Sequence, residues 1–138
     1  MRVFLDTNVI LDTIVPGRQS EEQSRRVINI GNVDPFRFSV SALSLANIAY
    51  ILRKMNTQDE VKRMINSMRN TWRVLKLDEY SIHDALRSDC PDFEDALQIS
   101  IAEGDCDVIV TYNTKHFKGH TALEVCTPGE FLANISAG

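Results

Sequence analysis

The sequence of 138 residues is poor in what marks non-globular chains, with three cysteines, four prolines, six glycines and one tryptophan. So little proline and glycine excludes a collagen-like repeat and a disordered tail. Cys90, Cys106 and Cys126 are an odd set without a CxxC pair. That is too sparse for a disulfide-scaffolded miniprotein, and free thiols in a reducing compartment fit better than one bridge with a leftover thiol. No apolar run is long. The N-terminal stretch MRVFLDTNVILDTIV is broken by Asp6, Asn8 and Asp12, so neither a signal-peptide core nor a membrane span is expected there, and the chain reads as cytoplasmic. A basic excess is also missing: 15 Lys and Arg face 19 Asp and Glu, a net charge of −4, which argues against nonspecific electrostatic coating of nucleic acid.

What is present is a single-domain pattern over residues 1–138, without repeats or linkers. The length falls in the usual range of about 100–150 residues for one domain with a real core. Val3-Phe4-Leu5 is an apolar run without polar alternation, the mark of a strand buried on both faces. Further strands are expected at 36–40, 74–77, 108–111 and 123–126. Helices are expected at 8–15 and 20–31, with Pro16-Gly17 punctuating between them and Ser20, Glu21 and Glu22 starting the second, and from Ser41 to about Met55. Others should run from Thr57 to about Trp72, at 81–87, from Asp92 to Glu103 with Gly104 as the stop, and from Pro128 to about Ala133. Short strands alternating with helices predict a three-layer α/β/α sandwich with a mostly parallel central sheet.

Charge is segregated. Residues 53–76 hold seven basic and two acidic groups, a local +5, whereas residues 78–107 hold ten acidic groups and one arginine, a local −9. Each run alone reads as a solvated helix face. Together they allow an acidic cation pocket beside a basic flank for phosphates, with Arg53, Lys54 and Lys62 as candidate nucleic-acid contacts.

In open α/β sheets, ligands bind outside the carboxyl ends of the strands. Asp6 ends the first strand, Thr111 and Asn113 follow the 108–110 strand, and Asp92 and Asp95 open a helix with their carboxylates on nearly one face. Asp6 and Asp92 also suit N-caps, and Asp95 suits the helix dipole. Were these ends to converge, the carboxylates would repel one another unless a cation lay between them. Mg²⁺ and Mn²⁺ prefer such all-oxygen sites and promote phosphodiester hydrolysis.

In order and spacing, the segments Phe4-Leu5-Asp6-Thr7-Asn8-Val9, Ser39-Val40-Ser41-Ala42-Leu43, Asp92-Phe93-Glu94-Asp95-Ala96-Leu97 and Ile109-Val110-Thr111-Tyr112-Asn113-Thr114-Lys115-His116-Phe117 resemble the PIN domain, the fold of many ribonucleases and of VapC toxins. Thr127-Pro128-Gly129-Glu130-Phe131-Leu132 is similar to the family's closing helix. The resemblance implies a Mg²⁺- or Mn²⁺-dependent endoribonuclease, usually with four acidic positions. By it, Asp6 and Asp95 would hold the metal with Asp92 as auxiliary, and Thr111 and Asn113 would support the metal and its water. Two positions depart from the pattern: Asn47 stands where a glutamate is common, and His116 where many members have an acid. An amide oxygen at Asn47 can still ligate or hold a water. The loss of up to two charges should weaken metal binding. The resemblance further implies an RNA substrate, a small antitoxin partner covering the site, and a toxin homodimer.

Two other readings compete with a toxin ribonuclease. One is a PIN module that binds RNA or protein without cutting, motivated by Asn47 and His116. The other is a haloacid dehalogenase-type phosphatase, which needs a second aspartate two residues after the first, where this chain has Asn8.

Overall fold

A computed structural model describes residues 1–15, 21–34 and 37–137. The punctuation expected at Pro16-Gly17, the helix start expected at Ser20, and the first residue of the expected 36–40 strand lie outside the described residues. Among these, the order is β1 (Val3–Leu5), α1 (Thr7–Ile14), α2 (Glu21–Val33), β2 (Phe38–Ser41), α3 (Ala42–Leu52), α4 (Gln58–Thr71), β3 (Arg73–Leu75), α5 (Glu79–Arg87), α6 (Phe93–Asp105), β4 (Val108–Val110), α7 (Thr114–Phe117), β5 (Glu124–Cys126) and α8 (Pro128–Ala137). The strands form one sheet in the order β3-β2-β1-β4-β5. Every neighbouring pair is parallel, with Phe4 opposite both Ser39 and Ile109.

The uninterrupted apolar strands follow from burial on both faces. Side chains alternate across a strand, and the core divides accordingly. Val3, Leu5, Val40, Val108 and Val110 pack with α1, α2, α3, α4 and α8. Phe4, Leu75, Ile109 and Val125 pack with α5, α6 and α7. Phe38 and Phe131 meet edge to face at 6.1 Å in the first layer. There α2 approaches closely: a Cβ on Gly31 would lie 3.0 Å from Phe38 Cγ.

Helix ends obey local chemistry more than the apolar pattern. Ser41 caps α3 through Ser44 N–H at 2.9 Å, and Thr57 with Glu60 forms a capping box on α4. α3 stops short of Met55, at Leu52, whose carbonyl accepts from the Asn56 amide at 3.0 Å. α5 begins at Glu79 rather than Ser81, because Asp78 accepts from the backbone N–H of Tyr80 and Ser81. Gly104 does not end α6. The helix runs through it to Asp105 and leaves by an extended Cys106 that feeds β4, without a left-handed residue. α8 also runs past Ala133, to Ala137. The short α7 carries no sequence expectation. It turns off at Gly119, the one described glycine with positive φ (87°).

All three cysteines are free and buried, and burial pushes the Cys106 and Cys126 thiols up to about 11. No described helix is long and apolar enough to cross a membrane.

Candidate active site

Three strand ends send polar groups to the same side of the sheet. Alternation places Asp6 with Phe4, Thr111 with Ile109 and Ser41 with Ser39, facing α6. Asp6 is the N-cap of α1 and is buried. Its Oδ1 accepts from Thr7 N–H at 2.8 Å and its Oδ2 from the Thr111 hydroxyl at 2.7 Å. The Thr111 oxygen in turn accepts from Asn113 N–H at 3.0 Å. The strand exit is held at its other side, where Tyr112 N–H donates to Asn8 Oδ1 at 3.3 Å and the Tyr112 hydroxyl pairs with Ser24 of α2.

Burial raises the Asp6 carboxyl from 3.8 to about 6. The Thr111 and Thr7 bonds lower it, while the charges of Asp95 and Glu94 raise it further. Asp95 is itself pushed up, first by desolvation and then by Asp92, against the pull of His116. Thus the ends of β1 and α6 do bring carboxylates into mutual repulsion. Asp92 N-caps α6, its Oδ1 accepting Asp95 N–H at 2.9 Å.

Glu94 carried no sequence assignment. It faces Asn47, whose Nδ2 donates to its Oε1 at 2.9 Å. The deficit expected from an amide at position 47 is therefore met in part by a carboxylate from another helix. The one signal for Glu94 in the sequence was its place in a dense run of acids at a helix start, which does not reveal the partner. His116, which stands where many members have an acid, is exposed and lies with Nδ1 3.4 Å from Asp95 Oδ2. Asn113 contributes its backbone, and its side chain makes no capping bond to α7.

Below these groups runs a buried polar chain. Gln98 of α6 accepts from the Ser41 hydroxyl at 2.7 Å and donates to Ser44 Oγ at 2.9 Å. Thr7 also donates to Ser44 Oγ, at 2.7 Å. The chain ties α1, α3 and α6 together at the strand ends. Replacing Gln98 by Leu removes a donor and an acceptor inside this network, where an unsatisfied buried polar group costs about 1–3 kcal/mol. A fall in the urea midpoint at unchanged m-value is the expected outcome.

Of the basic candidates, Arg53 lies over the Tyr50 ring at 4.0 Å, Lys54 is exposed at the end of α3, and Lys62 lines a surface groove between α3 and α4. Tyr50 shares the α3 face of Asn47 by its i, i+3 spacing, whereas Lys54 lies in the turn past the end of that helix.

Asp6, Glu94, Asp95 and Asn47 offer only oxygen donors, and the charges of Asp95 and Glu94 add to the burial that raises the Asp6 carboxyl. That chemistry fits a hard divalent cation, which keeps several waters and needs few protein ligands. Among the described residues, no three of His, Cys, Asp and Glu are placed to enclose an ion by themselves.

A buried strand-end aspartate faced by helix-borne acids, on an all-parallel sheet with helices on both sides, defines a carboxylate-centred α/β domain. The family model for the PIN domain matches residues 2–115, and the chain belongs to that family. No curated protein sequence matches the chain significantly. Among solved structures, it is similar to VapBC2 from Rickettsia felis bound to a promoter DNA fragment, at 16% identity and TM-score 0.68, covering 91% of this chain and 97% of that one. It is likewise similar to FitAcB from Neisseria gonorrhoeae, at 17% identity and TM-score 0.68, covering 92% and 98%. A third is the Mycobacterium tuberculosis sarcin-ricin loop cleaving toxin VapC20, at 14% identity and TM-score 0.65, covering 83% and 92%. At these identities the likeness is one of fold.

Proposed function

We propose that the protein is a Mg²⁺- or Mn²⁺-dependent endoribonuclease, the toxin of a VapBC-type toxin–antitoxin pair acting in the cytoplasm. The observation that carries this reading is the buried Asp6 carboxyl at the end of β1, raised by burial and by Asp95 and Glu94 on α6. Asp6 and Asp95 would hold the ion, with Glu94 and Asp92 adding negative charge around it. Asn47 fixes Glu94 and offers an amide oxygen, Thr111 orients Asp6 by its hydroxyl, and Asn113 orients Thr111 through its backbone N–H. A divalent cation in this place supplies Lewis acidity, acidifying a water and neutralising charge on a phosphate oxygen. Arg53, Lys54 and Lys62 would track the RNA backbone. The structural likeness to VapBC and VapC proteins supports the assignment and a small antitoxin as partner; a homodimer of this chain belongs to the same proposal.

Incubation of single-stranded RNA with the protein in Mg²⁺ or Mn²⁺ is expected to give internal cuts, and EDTA to stop them. Intact RNA with either ion defeats the reading. The alternative is a PIN module that binds RNA or protein without cutting. It is favoured by the amide at Asn47 and by the absence of a three-ligand cluster among the described residues. Calorimetric titration with Mn²⁺ separates the two, since no binding up to millimolar ion supports the alternative.

A further inference from the structure

The loop before α6, the first turn of α6 and the segment through α7 border a cavity of about 250 Å³, where Asp95 is joined by Cys90, Pro91, Asp92, Lys115, His116 and His120. Its two imidazoles are held in the same way. His116 Nδ1 lies 3.4 Å from Asp95 Oδ2, and His120 Nδ1 lies 2.9 Å from Asp89 Oδ1. In a neutral imidazole, a carboxylate at Nδ1 favours the tautomer with the proton there and leaves Nε2 as the nitrogen able to accept. The Cys90 thiol lies 3.7 Å from both the Asp92 and the His116 carbonyl, spanning the two walls. Desolvation raises its pKa, which disfavours the thiolate.

The chemistry of the walls selects the occupant. Asp92 and Asp95 border the cavity and repel an anion, so a phosphate is disfavoured there. A nucleobase brings no net charge and offers a planar face to Pro91 and the imidazoles. Its edge N–H groups meet acceptors at Nε2 and at Asp92, and a ring carbonyl meets the Lys115 ammonium. The volume lies below the roughly 300–1,000 Å³ of pockets that hold drug-sized ligands, which suits one base. We propose that this cavity is a nucleobase subsite beside the cleavage site, selective for a base with an exocyclic amino group over uracil. The inference rests on the ribonuclease reading for its purpose and on the cavity alone for its existence.

Anisotropy of short labelled adenosine, cytidine and uridine homo-oligonucleotides with the full chain in EDTA tests it without cutting. The amino-bearing oligonucleotides are expected to bind about fivefold or more tighter than the uridine one, the discrimination that a base-edge contact gives. His120→Ala is expected to erase the difference, and His120→Gln, which keeps a polar group there, to restore part of it. Lys115→Ala should weaken cytidine binding more than adenosine binding, since adenine has no carbonyl. Equal binding of all three, no binding of any, or a preference that survives His120→Ala overturns the subsite. Loss of cleavage in Mg²⁺ or Mn²⁺ with the preference intact defeats the ribonuclease reading and leaves the subsite standing.

Discussion

Asp6→Asn is expected to lower RNA cleavage by at least about 10²-fold, the usual cost of removing one preorganised electrostatic group from an active site, while making the metal-free protein more stable. The two effects share one cause. The folded protein holds the Asp6 carboxyl at about 6 against an ordinary 3.8. Between those values the folded state binds more protons than the unfolded chain, so the Asp6 contribution falls as pH rises from about 4 to 6 and is then fully unfavourable. At pH 7 the difference corresponds to about 3 kcal/mol. Asparagine removes the charge, but it also gives up carboxylate bonds to Thr7 and Thr111, so this is an upper bound. For a domain of this size the limit is a rise in Tm of about 10 °C. Melting curves of both proteins in EDTA should nearly coincide near pH 4 and separate as pH rises through 6. A variant that is less stable at every pH, or one that cuts RNA normally, contradicts the account of Asp6.

Phe4→Ala should cost about 3–5 kcal/mol, because truncating a buried Phe removes both transfer energy and packing. Phe4 is 0% exposed and lies in the layer beneath α6. Set against a typical domain stability of about 5–15 kcal/mol, this is a large share of the total. It should appear as a drop in Tm of about 10–20 °C. Leu86→Ala is the control: at 71% exposed its side chain gives up little on truncation, and a change within about 0.5 kcal/mol is expected. Should the two variants melt together, Phe4 does not hold the sheet against α6. Because Phe4 stands two residues before Asp6 on the same face, the loosened strand should also blunt cleavage at temperatures well below its midpoint.

Much of the fold was legible because burial on both faces writes itself into composition. Val3-Phe4-Leu5 and Val108-Ile109-Val110 are apolar throughout, and such strands need helices on either side. The parallel arrangement then placed Asp6, Thr111 and the start of α6 at the carboxyl end of the sheet. Less legible were features that depend on partners distant in sequence. Nothing local to Glu94 reveals that Asn47 donates to it, since the contact forms only when α3 and α6 dock on the same sheet end. α7 spans four residues, too short to show a helical apolar period, and it is held by burial of Phe117. The Ser81 start failed for a local reason: Asp78 is the stronger cap, and it moves the first turn two residues earlier. Gly104 misled because a glycine near a helix end suggests a stop, whereas the chain needs an extended exit at Cys106 to enter β4.

The central place of β1 in the sheet also sets the order in which the molecule opens. Its backbone is paired to β2 on one side and β4 on the other, whereas β3 and β5 are edges. Amides that exchange only when a domain unfolds globally cluster in such central strands, and edge strands and outer helices exchange through smaller openings. The Asp6 N–H, bonded to the Val110 carbonyl at 3.0 Å, should therefore rank with the slowest to acquire deuterium. α6 packs on α5 and across β2 and β3, outside the sheet, and should exchange sooner than β1. The proposed site thus joins a carboxylate rooted in the most persistent part of the molecule to acids on a helix that opens earlier, and transient opening would dismantle it from the Asp95 side while Asp6 stays in place.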